Sequence, residues 1–233
     1  MIAALIFDVD GTLAETEDLH LEAFNATFAE EGLSWHWDET LYRELLAVTG
    51  GKERMKAYAA RLGEAMDDDR VARLHARKTE IYTTRLRTGA LPLRPGIAEL
   101  IAGAMGCGLR LAIATTTSVA NVEALLAAAI GAKWRDFFSV IAAGDMVPAK
   151  KPAPDIYNLA LERLQLAPGA AIAIDDSGNG IRAAKGAGLR VIATPGRWLG
   201  DEDLSAADTV IPATSIPDMR LVWEVARSRL SAG

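Results

Sequence analysis

Two aspartates separated by one residue follow a short apolar run near the start of the chain. The run at residues 2–7 has the length of a buried strand, and it leads into the motif DVDGT at residues 8–12. Carboxylates at the end of a buried strand are costly unless something compensates them. Asp8 and Asp10 could together suit Mg²⁺, a hard cation that leaves room for a phosphate, and a carboxylate can also attack phosphorus. The alternative is that Asp10-Gly11 is only a turn after a strand.

Three more polar signals follow later apolar runs. Thr115 follows the run at residues 109–114, and Asp175 and Asp176 follow the run at residues 170–174. Because ligands of parallel sheets bind beyond the carboxyl ends of the strands, we expect these side chains to meet at one edge. A lysine in the loop after the apolar run at residues 138–143 can reach the same edge, but spacing alone does not choose between Lys150 and Lys151.

The order of apolar runs and helical patterns predicts an α/β fold with a parallel sheet covered by helices on both faces. Strands are expected at residues 2–7, 109–114, 138–143, 170–174 and 189–194, with a weaker one near 207–211. Helices are expected at residues 95–106, 118–131, 154–165 and 178–187.

Residues 15–90 break this alternation and predict a separate helical cap. They contain helical patterns at 17–31, 40–47, 51–62 and 68–87 and no convincing strand. We therefore expect a core formed by residues 1–14 and 91–233, joined to the cap by linkers near 14–17 and 88–94.

Aromatic and aliphatic residues at helical spacing predict the core of this cap. Leu21, Phe24 and Phe28 recur on one helix face, and Trp35 and Trp37 follow that helix. We expect all five to pack inside the cap rather than to bind ligand.

Composition limits the classes of partner and compartment. The chain has 233 residues, half of them apolar and a quarter charged, with a net charge of −6, which argues against nucleic acid as a partner. No apolar run approaches the ~20 residues that span a bilayer, and the first residues lack the basic region and long apolar core expected of a signal peptide. The one cysteine, Cys107, fits a reducing compartment and is expected to pack in the helix before the second strand. We expect a monomer in the cytoplasm, with no membrane partner.

The motifs together resemble those of the haloacid-dehalogenase-like phosphatases. That family carries Asp-x-Asp-x-Thr after its first strand, and the chain has in the same order Thr115, the motif KPAPD at 151–155 and the pair Asp175-Asp176. Within the family the chain is similar to the sugar-phosphate branch with β-phosphoglucomutase and the CbbY-type xylulose-1,5-bisphosphate phosphatases. The strings TGGKER at 49–54, ATTTS at 114–118 and AAGDM at 142–146 resemble the latter.

The resemblance implies a Rossmann-like core with an inserted helical cap, and it assigns chemical roles. Asp8 is the expected nucleophile, and Asp10 the acid and base that serves the leaving oxygen and then water. Thr115 and Lys151 would hold the phosphoryl group, and the motif selects Lys151, which leaves Lys150 solvated.

The expected cofactor is Mg²⁺. By resemblance Asp8, the backbone carbonyl of Asp10 and Asp176 bind the ion, and Asp175 supports them. The alternative, a helix N-cap, explains only one of the two adjacent aspartates.

Further residues are expected to contact the substrate. Thr116, Thr117 and Ser118 open a helix whose N-terminus suits an anion, although the string is also ordinary capping chemistry. Asn121 either caps that helix or contacts substrate.

In the cap, the candidate residues form three groups. Glu17 and His20 lie one turn apart near the hinge; Gly50, Gly51, Lys52 and Arg54 form a positively charged helix start for a second phosphate; and His75 and Lys78 share a helix face. The alternatives are a structural histidine, a glycine helix break and a solvated charged surface.

These features predict a Mg²⁺-dependent phosphatase of a small sugar bisphosphate, most specifically xylulose 1,5-bisphosphate, which by resemblance would belong to the Calvin cycle. A β-phosphoglucomutase-type phosphomutase uses the same two aspartates, so the motifs do not separate the two. Phosphoglycolate phosphatase is a third reading. A binding module without chemistry is disfavoured because every core position holds a competent residue.

Overall fold

The computed structural model describes residues 1–89, 91–199, 202–212 and 217–228, and within them six strands and nine α-helices are present. The strands are β1 (Ala4–Phe7), β2 (Arg110–Thr115), β3 (Phe138–Ala143), β4 (Ala171–Asp175), β5 (Arg190–Ala193) and β6 (Thr209–Val210). The helices are α1 (Glu17–Glu30), α2 (Glu39–Leu45), α3 (Gly51–Arg61), α4 (Asp68–Thr88), α5 (Ile97–Gly106), α6 (Val119–Ala129), α7 (Asp155–Leu164), α8 (Gly178–Gly186) and α9 (Met219–Arg227).

The sheet is parallel, with strand order β3-β2-β1-β4-β5-β6. Chain order reverses at β1, since the earlier crossovers go to one side and the later ones to the other. Ligands of such sheets bind beyond the strand ends at this reversal. The adjacent ends of β2, β1 and β4 carry Thr115, Asp8 and Asp175, so the topology places all three at the ligand-binding edge.

The strands β1, β4 and β5 are buried on both faces, as β1 illustrates. Leu5 and Phe7 belong to the hydrophobic cluster on one face of the sheet, and Ala4 and Ile6 belong to the cluster on the other. All four are fully buried. Burial on both faces explains why the sequence shows continuous apolar runs rather than alternation.

The helices α1–α4 lie between β1 and β2 and enclose an aromatic core. The Trp37 ring lies 4.7 Å from the ring of Phe24 and 4.8 Å from that of Phe28, and Trp35 packs edge-on against Phe28. Such pairs stabilise a core beyond the area that they bury. The prediction that Trp35 and Trp37 pack inside the helical insertion is confirmed, as is the burial of Leu21.

One member of this aromatic core comes from outside the insertion. Trp198, in the segment after β5, is buried and meets the Tyr42 ring edge-on at 5.6 Å. The Arg43 guanidinium lies 4.7 Å from the centre of the Trp198 ring and donates a 3.0 Å hydrogen bond to its carbonyl. The α/β part and the insertion therefore share a hydrophobic cluster.

Helix α9 has no counterpart among the predicted elements. Its start carries a recognisable signal, because the Asp218 side chain accepts a hydrogen bond from the Leu221 N–H as an N-cap does. Val222 and Val225 bury its apolar face.

The prediction for Cys107 is wrong. This residue lies just beyond the end of α5 and is exposed, because the last buried position of that helix is Ala104. Within the described ranges, every helix is too short or too polar to cross a lipid bilayer.

Candidate active site

Three buried carboxylates meet where β1 and β4 end. Asp8, Asp175 and Asp176 each place one carboxylate oxygen within 4.8 Å of the others. Burial raises the pKa of Asp8 to about 7, helped by the charges of Asp175 and Asp10 and opposed by Lys151. Burial and the same crowding raise the pKa of Asp176 well above its ordinary value. The cluster thus carries more negative charge than its surroundings offset.

One ammonium group lies between two of these carboxylates. Nζ of Lys151 donates to Oδ1 of Asp8 at 2.6 Å and to Oδ2 of Asp175 at 2.8 Å. Burial lowers the pKa of Lys151, but the two carboxylates raise it above its ordinary value, so the group stays charged. Lys150 instead donates to the Gly144 carbonyl at 2.6 Å, which corrects the expectation that it is solvated.

The donor set fits a divalent cation. Asp175 accepts hydrogen bonds on both oxygens, whereas the described residues give Asp8 one donor, Lys151, and Asp176 one donor, the Thr12 hydroxyl at 3.1 Å. Oxygens of Asp8 and Asp176 therefore remain free for a hard cation such as Mg²⁺. Asp175 has the contacts of a supporting residue.

Asp10 is held by two donors from the start of α1. Its Oδ1 accepts from Oγ1 of Thr16 at 2.6 Å and from Nε2 of His20 at 3.0 Å. Burial raises the pKa of Asp10, but the charge and hydrogen bond of His20, together with Thr16, lower it to about 2. Asp10 is therefore an ionised carboxylate fixed beside the acidic cluster.

A buried lysine continues this chain of contacts. Nζ of Lys78 lies 2.5 Å from Nδ1 of His20, whose ring stacks on Tyr82 at 4.2 Å. Because an ionised Asp10 can only accept, Nε2 of His20 donates to it, and the direction of the contact between Nδ1 and Lys78 follows from the protonation of the ring. Burial lowers the pKa of Lys78 to about 7, and it lowers that of His75 to about 3, with help from the charge of Lys78.

Most of the candidate residues line one cleft, with an empty volume of about 780 Å³, between the sheet edge and the helical insertion. These residues are Asp8, Asp10, Glu17, His20, Gly50, Gly51, Arg54, His75, Lys78, Thr115, Thr116, Thr117, Asn121, Lys151 and Asp176. Asp175 lies fully buried behind them.

Lys52 and Ser118 lie outside this cleft and border a smaller neighbouring cavity. Nζ of Lys52 donates to Oδ2 of Asp145 at 2.8 Å, an ion pair between α3 and the turn after β3. Oγ of Ser118 accepts from the Asn121 N–H at 3.3 Å and caps α6. An ion pair engages Lys52 and a helix cap engages Oγ of Ser118, and the expectation that these two residues contact substrate stays a prediction.

The start of α6 presents polar groups to the cleft. Oγ1 of Thr115 accepts from the Thr117 N–H at 3.2 Å, and the Asn121 side-chain amide donates to Oγ1 of Thr117 at 2.9 Å. Oδ1 of Asn121 is buried without a hydrogen-bond partner among the described residues. A helix N-terminus with such groups suits an anion with a neighbouring hydroxyl.

The opposite wall combines glycines with a buried arginine. Gly50 has φ +96°, and a Cβ on Gly51 would lie 2.9 Å from the His75 ring, so both positions at the start of α3 favour glycine. Arg54 donates to the Tyr42 hydroxyl at 2.9 Å, and that hydroxyl donates to Glu17 at 2.5 Å. The guanidinium is thus held at the cleft wall.

Several residues at or beside the site were not predicted. Thr12 belongs to the DVDGT motif, and Thr16 directly precedes a helix, so both carried a readable signal. Asn179 donates to Oγ1 of Thr49 at 3.0 Å, and both line the cleft. They are far apart in the chain, and no local pattern could have paired them.

Comparison with known proteins agrees with this geometry. Residues 2–188 match the haloacid dehalogenase-like hydrolase family. The chain is 53% identical over 224 residues to Protein CbbY of Rhodobacter capsulatus, which covers 96% of this chain and 99% of that relative. Protein CbbY of Cupriavidus necator is 50% identical over 224 residues, covering 92% of this chain and 86% of the relative.

Solved structures give the same result. CbbY from Rhodobacter sphaeroides in complex with phosphate has a TM-score of 0.88 and 52% identity, over 92% of this chain and 96% of that one. A mutant of that protein has been solved with xylulose-(1,5)bisphosphate. A β-phosphoglucomutase from Clostridium difficile, with 20% identity, a TM-score of 0.84 and 99% coverage of both chains, shares the fold.

The sheet with its helical insertion, the acidic cluster and the family match agree with one another. The extended similarity to CbbY proteins identifies the chain as a phosphatase enzyme. It belongs to the haloacid dehalogenase-like hydrolase family.

Proposed function

We propose that this protein is a Mg²⁺-dependent phosphatase that hydrolyses xylulose 1,5-bisphosphate through a phospho-aspartate on Asp8. One observation carries the proposal: Asp8 and Lys151 face the same cleft as the cationic side chains of Arg54 and Lys78. Asp8 and Lys151 suit a reacting phosphoryl group, and Arg54 and Lys78 offer charge for a second phosphate. The complexes of the R. sphaeroides relative with phosphate and with this bisphosphate support the assignment.

In the proposed reaction a carboxylate oxygen of Asp8 bonds to phosphorus while the bond from phosphorus to the sugar oxygen breaks. The leaving sugar oxygen takes a proton from Asp10. Asp10 then accepts a proton from water, the water oxygen bonds to phosphorus, and the bond to Asp8 breaks. Inorganic phosphate leaves, and both aspartates return to their starting states. Such transfer depends mainly on positioning and on charge stabilisation, for which Lys151 and Thr115 are placed.

Asp10 must carry a proton when the leaving group departs. Its low pKa of about 2 describes the cleft with His20 beside it and no substrate. A phosphate anion bound nearby would disfavour a second negative charge and so favour protonation of Asp10. Thr16 and His20 would hold the group in one orientation through both proton transfers.

Asp8 and Asp176 would hold Mg²⁺ together with the Asp10 backbone carbonyl, and Asp175 would support them. When bound, the ion would offset the charge of the carboxylates and the phosphoryl oxygens. The buried carboxylates with free oxygens are the feature of this chain that calls for such a cation.

Other residues of the cleft would bind the sugar and the second phosphate. Arg54 and Lys78 supply positive charge, and the start of α3 at Gly51 allows close approach of backbone. Oδ1 of Asn121 could accept from a sugar hydroxyl, since it lacks a partner among the described residues, and Glu17 offers carboxylate oxygens.

A panel of sugar phosphates with two to six carbons tests the proposal by phosphate release in the presence of Mg²⁺. The highest kcat/KM is expected for xylulose 1,5-bisphosphate, with xylulose 5-phosphate as the matched monophosphate. Preference for phosphoglycolate would contradict it. Rapid glucose 6-phosphate formation from β-glucose 1-phosphate with trace bisphosphate would indicate a phosphomutase instead.

We also propose that residues 15–90 form a cap domain over a core of residues 1–14 and 91–233, in a monomer that works in the cytoplasm. The shared contacts near Trp198 and the Lys52–Asp145 ion pair would hold the cap against the core. Light scattering after gel filtration tests whether the protein is a monomer, and a stable dimer would contradict that part of the proposal.

A further inference from the structure

Tyr157 lies outside the cleft but contacts the acidic cluster. It belongs to α7 and is fully buried. Its hydroxyl donates a 2.7 Å hydrogen bond to Oδ2 of Asp175. Burial and the charge of Asp175 raise the pKa of Tyr157 well above its ordinary value, so the hydroxyl remains a donor.

Asp175 is fixed by donors on both of its oxygens. Oδ2 accepts from Tyr157 and from Lys151, and Oδ1 accepts from the Ser177 N–H at 3.0 Å and from its hydroxyl at 2.9 Å. A carboxylate held in this way cannot rotate without losing several hydrogen bonds. Its position determines where the negative charge facing Lys151 lies.

Lys151 is shared between two carboxylates and one ring. Its ammonium group lies 2.6 Å from Asp8, 2.8 Å from Asp175 and 5.0 Å from the centre of the Tyr157 ring. Tyr157 therefore contacts both partners of the Lys151–Asp175 pair, the carboxylate through its hydroxyl and the ammonium group through its ring face.

We propose that Tyr157 is a positioning residue. Its hydroxyl supplies a hydrogen bond that Asp175 would otherwise take from Lys151, and so leaves the Lys151 ammonium group available to Asp8 and to the phosphoryl oxygens. The inference rests on the proposed phosphatase function. Without the hydroxyl, Oδ2 of Asp175 would have Lys151 as its remaining donor among the described residues. The ammonium group would then be drawn toward Asp175 and would hold phosphate less well.

Tyr157→Phe tests this, because it keeps the buried ring and removes only the hydroxyl. Calorimetric titration with inorganic phosphate in saturating Mg²⁺ should show about tenfold weaker binding, the size expected for one hydrogen bond to a charged group. Electron paramagnetic resonance with Mn²⁺ alone should show a dissociation constant within about twofold of the wild-type value, since Asp8 and Asp176 are untouched. Tyr58→Phe, in the aromatic core of the insertion, is the matched control and should change neither constant.

A second variant shows whether the tyrosine acts through Asp175. In an Asp175→Asn background, adding Tyr157→Phe should weaken phosphate binding by less than about twofold further, because the charged partner is gone. An equal loss in both backgrounds would overturn the inference.

The remaining outcomes also decide the matter. Unchanged phosphate binding in Tyr157→Phe, equal weakening of phosphate and Mn²⁺, or loss of the folded circular dichroism spectrum would each overturn the positioning role. Failure of the wild-type protein itself to bind phosphate would instead contradict the proposed function.

Discussion

Nζ of Lys151 donates a hydrogen bond of 2.6 Å to Oδ1 of Asp8, which joins the loop after β3 to the end of β1. Both residues are buried, so the pair lies where water screens charge weakly. The attacking group and the cation that would hold the transferred phosphate are thus adjacent before substrate arrives. Such preorganisation is the main way in which a protein accelerates phosphoryl transfer.

Asp8→Asn should abolish phosphate release, by at least about a thousandfold, because an amide cannot form the acyl phosphate. The fold should remain, and the metal-free protein should melt at a higher temperature, since one of three crowded carboxylates is gone. A phosphate-release assay and calorimetry check this. Asp136→Asn changes an exposed aspartate on a surface turn and is the control. Turnover close to the wild-type rate in Asp8→Asn would exclude Asp8 as the nucleophile.

Removing Mg²⁺ with a chelator should stop phosphate release and lower the melting temperature. The stability change follows from the repulsion among Asp8, Asp175 and Asp176, which a bound cation relieves. Asp176→Asn should melt higher without metal and should lose most of the stabilisation by added Mg²⁺. Equal stabilisation of both proteins by Mg²⁺ would mean that the ion binds elsewhere.

Gly180→Ala should destabilise the protein by about 1–3 kcal/mol, as overpacking does, although alanine favours helices. A Cβ on Gly180 would overlap the Asp175 carboxylate, which cannot move without breaking its hydrogen bonds. Phosphate binding should weaken as well. Gly106→Ala is the matched control, because no atom lies near its Cβ position, and it should stabilise the protein by about 0.5–1 kcal/mol. Urea unfolding measures both; similar effects of the two changes would contradict this reading.

The buried Lys78 should make both stability and substrate binding depend on pH. Its pKa is about 7 when folded, against an ordinary value of 10.5, so between these values the unfolded chain binds more protons. Stability from this group should therefore rise with pH above about 7, by up to about 1.4 kcal/mol per pH unit. Asp10, Glu17 and Arg54 also act on this pKa.

The KM for a bisphosphate should also rise as the pH increases above about 7, because Lys78 loses its charge. Urea unfolding and kinetics from pH 6 to 9 check both effects. Lys78→Met should flatten the two profiles, whereas Lys133→Met, at an exposed site, should leave them unchanged. Parallel profiles in wild-type protein and Lys78→Met would contradict the assignment.

Arg54→Met should raise the KM for xylulose 1,5-bisphosphate more than tenfold and that for xylulose 5-phosphate much less, if its guanidinium meets the second phosphate. An ion pair with phosphate in a buried setting is strong enough for such a difference. Arg61→Met, in the last turn of the same helix and exposed, is the control. Equal effects on both substrates would place the second phosphate elsewhere.

The central strands and the acidic residues were predictable because local patterns encode them. A continuous apolar run followed by Asp8 or Asp175 marks the end of a buried strand. Because the strands are parallel, these ends then lie at the same edge of the sheet. Helix α9 was also encoded, by Asp218 and the apolar positions Val222 and Val225, although it was not among the predicted elements.

The parts that could not be predicted depend on contacts between distant segments. Lys52 carries the right charge for a phosphate site, yet its position opposite Asp145 gives it a protein partner. The chain from Lys78 through His20 to Asp10 depends on how α4 packs against α1, which no spacing within either helix specifies.

Because Trp198 is buried with the hydrophobic residues of the helical insertion and contacts Tyr42, the insertion alone lacks one member of its own core. A chimaera that moves only α1–α4 onto another α/β scaffold would leave a gap the size of an indole. Transplantation between relatives should therefore carry the segment after β5 along with the helices.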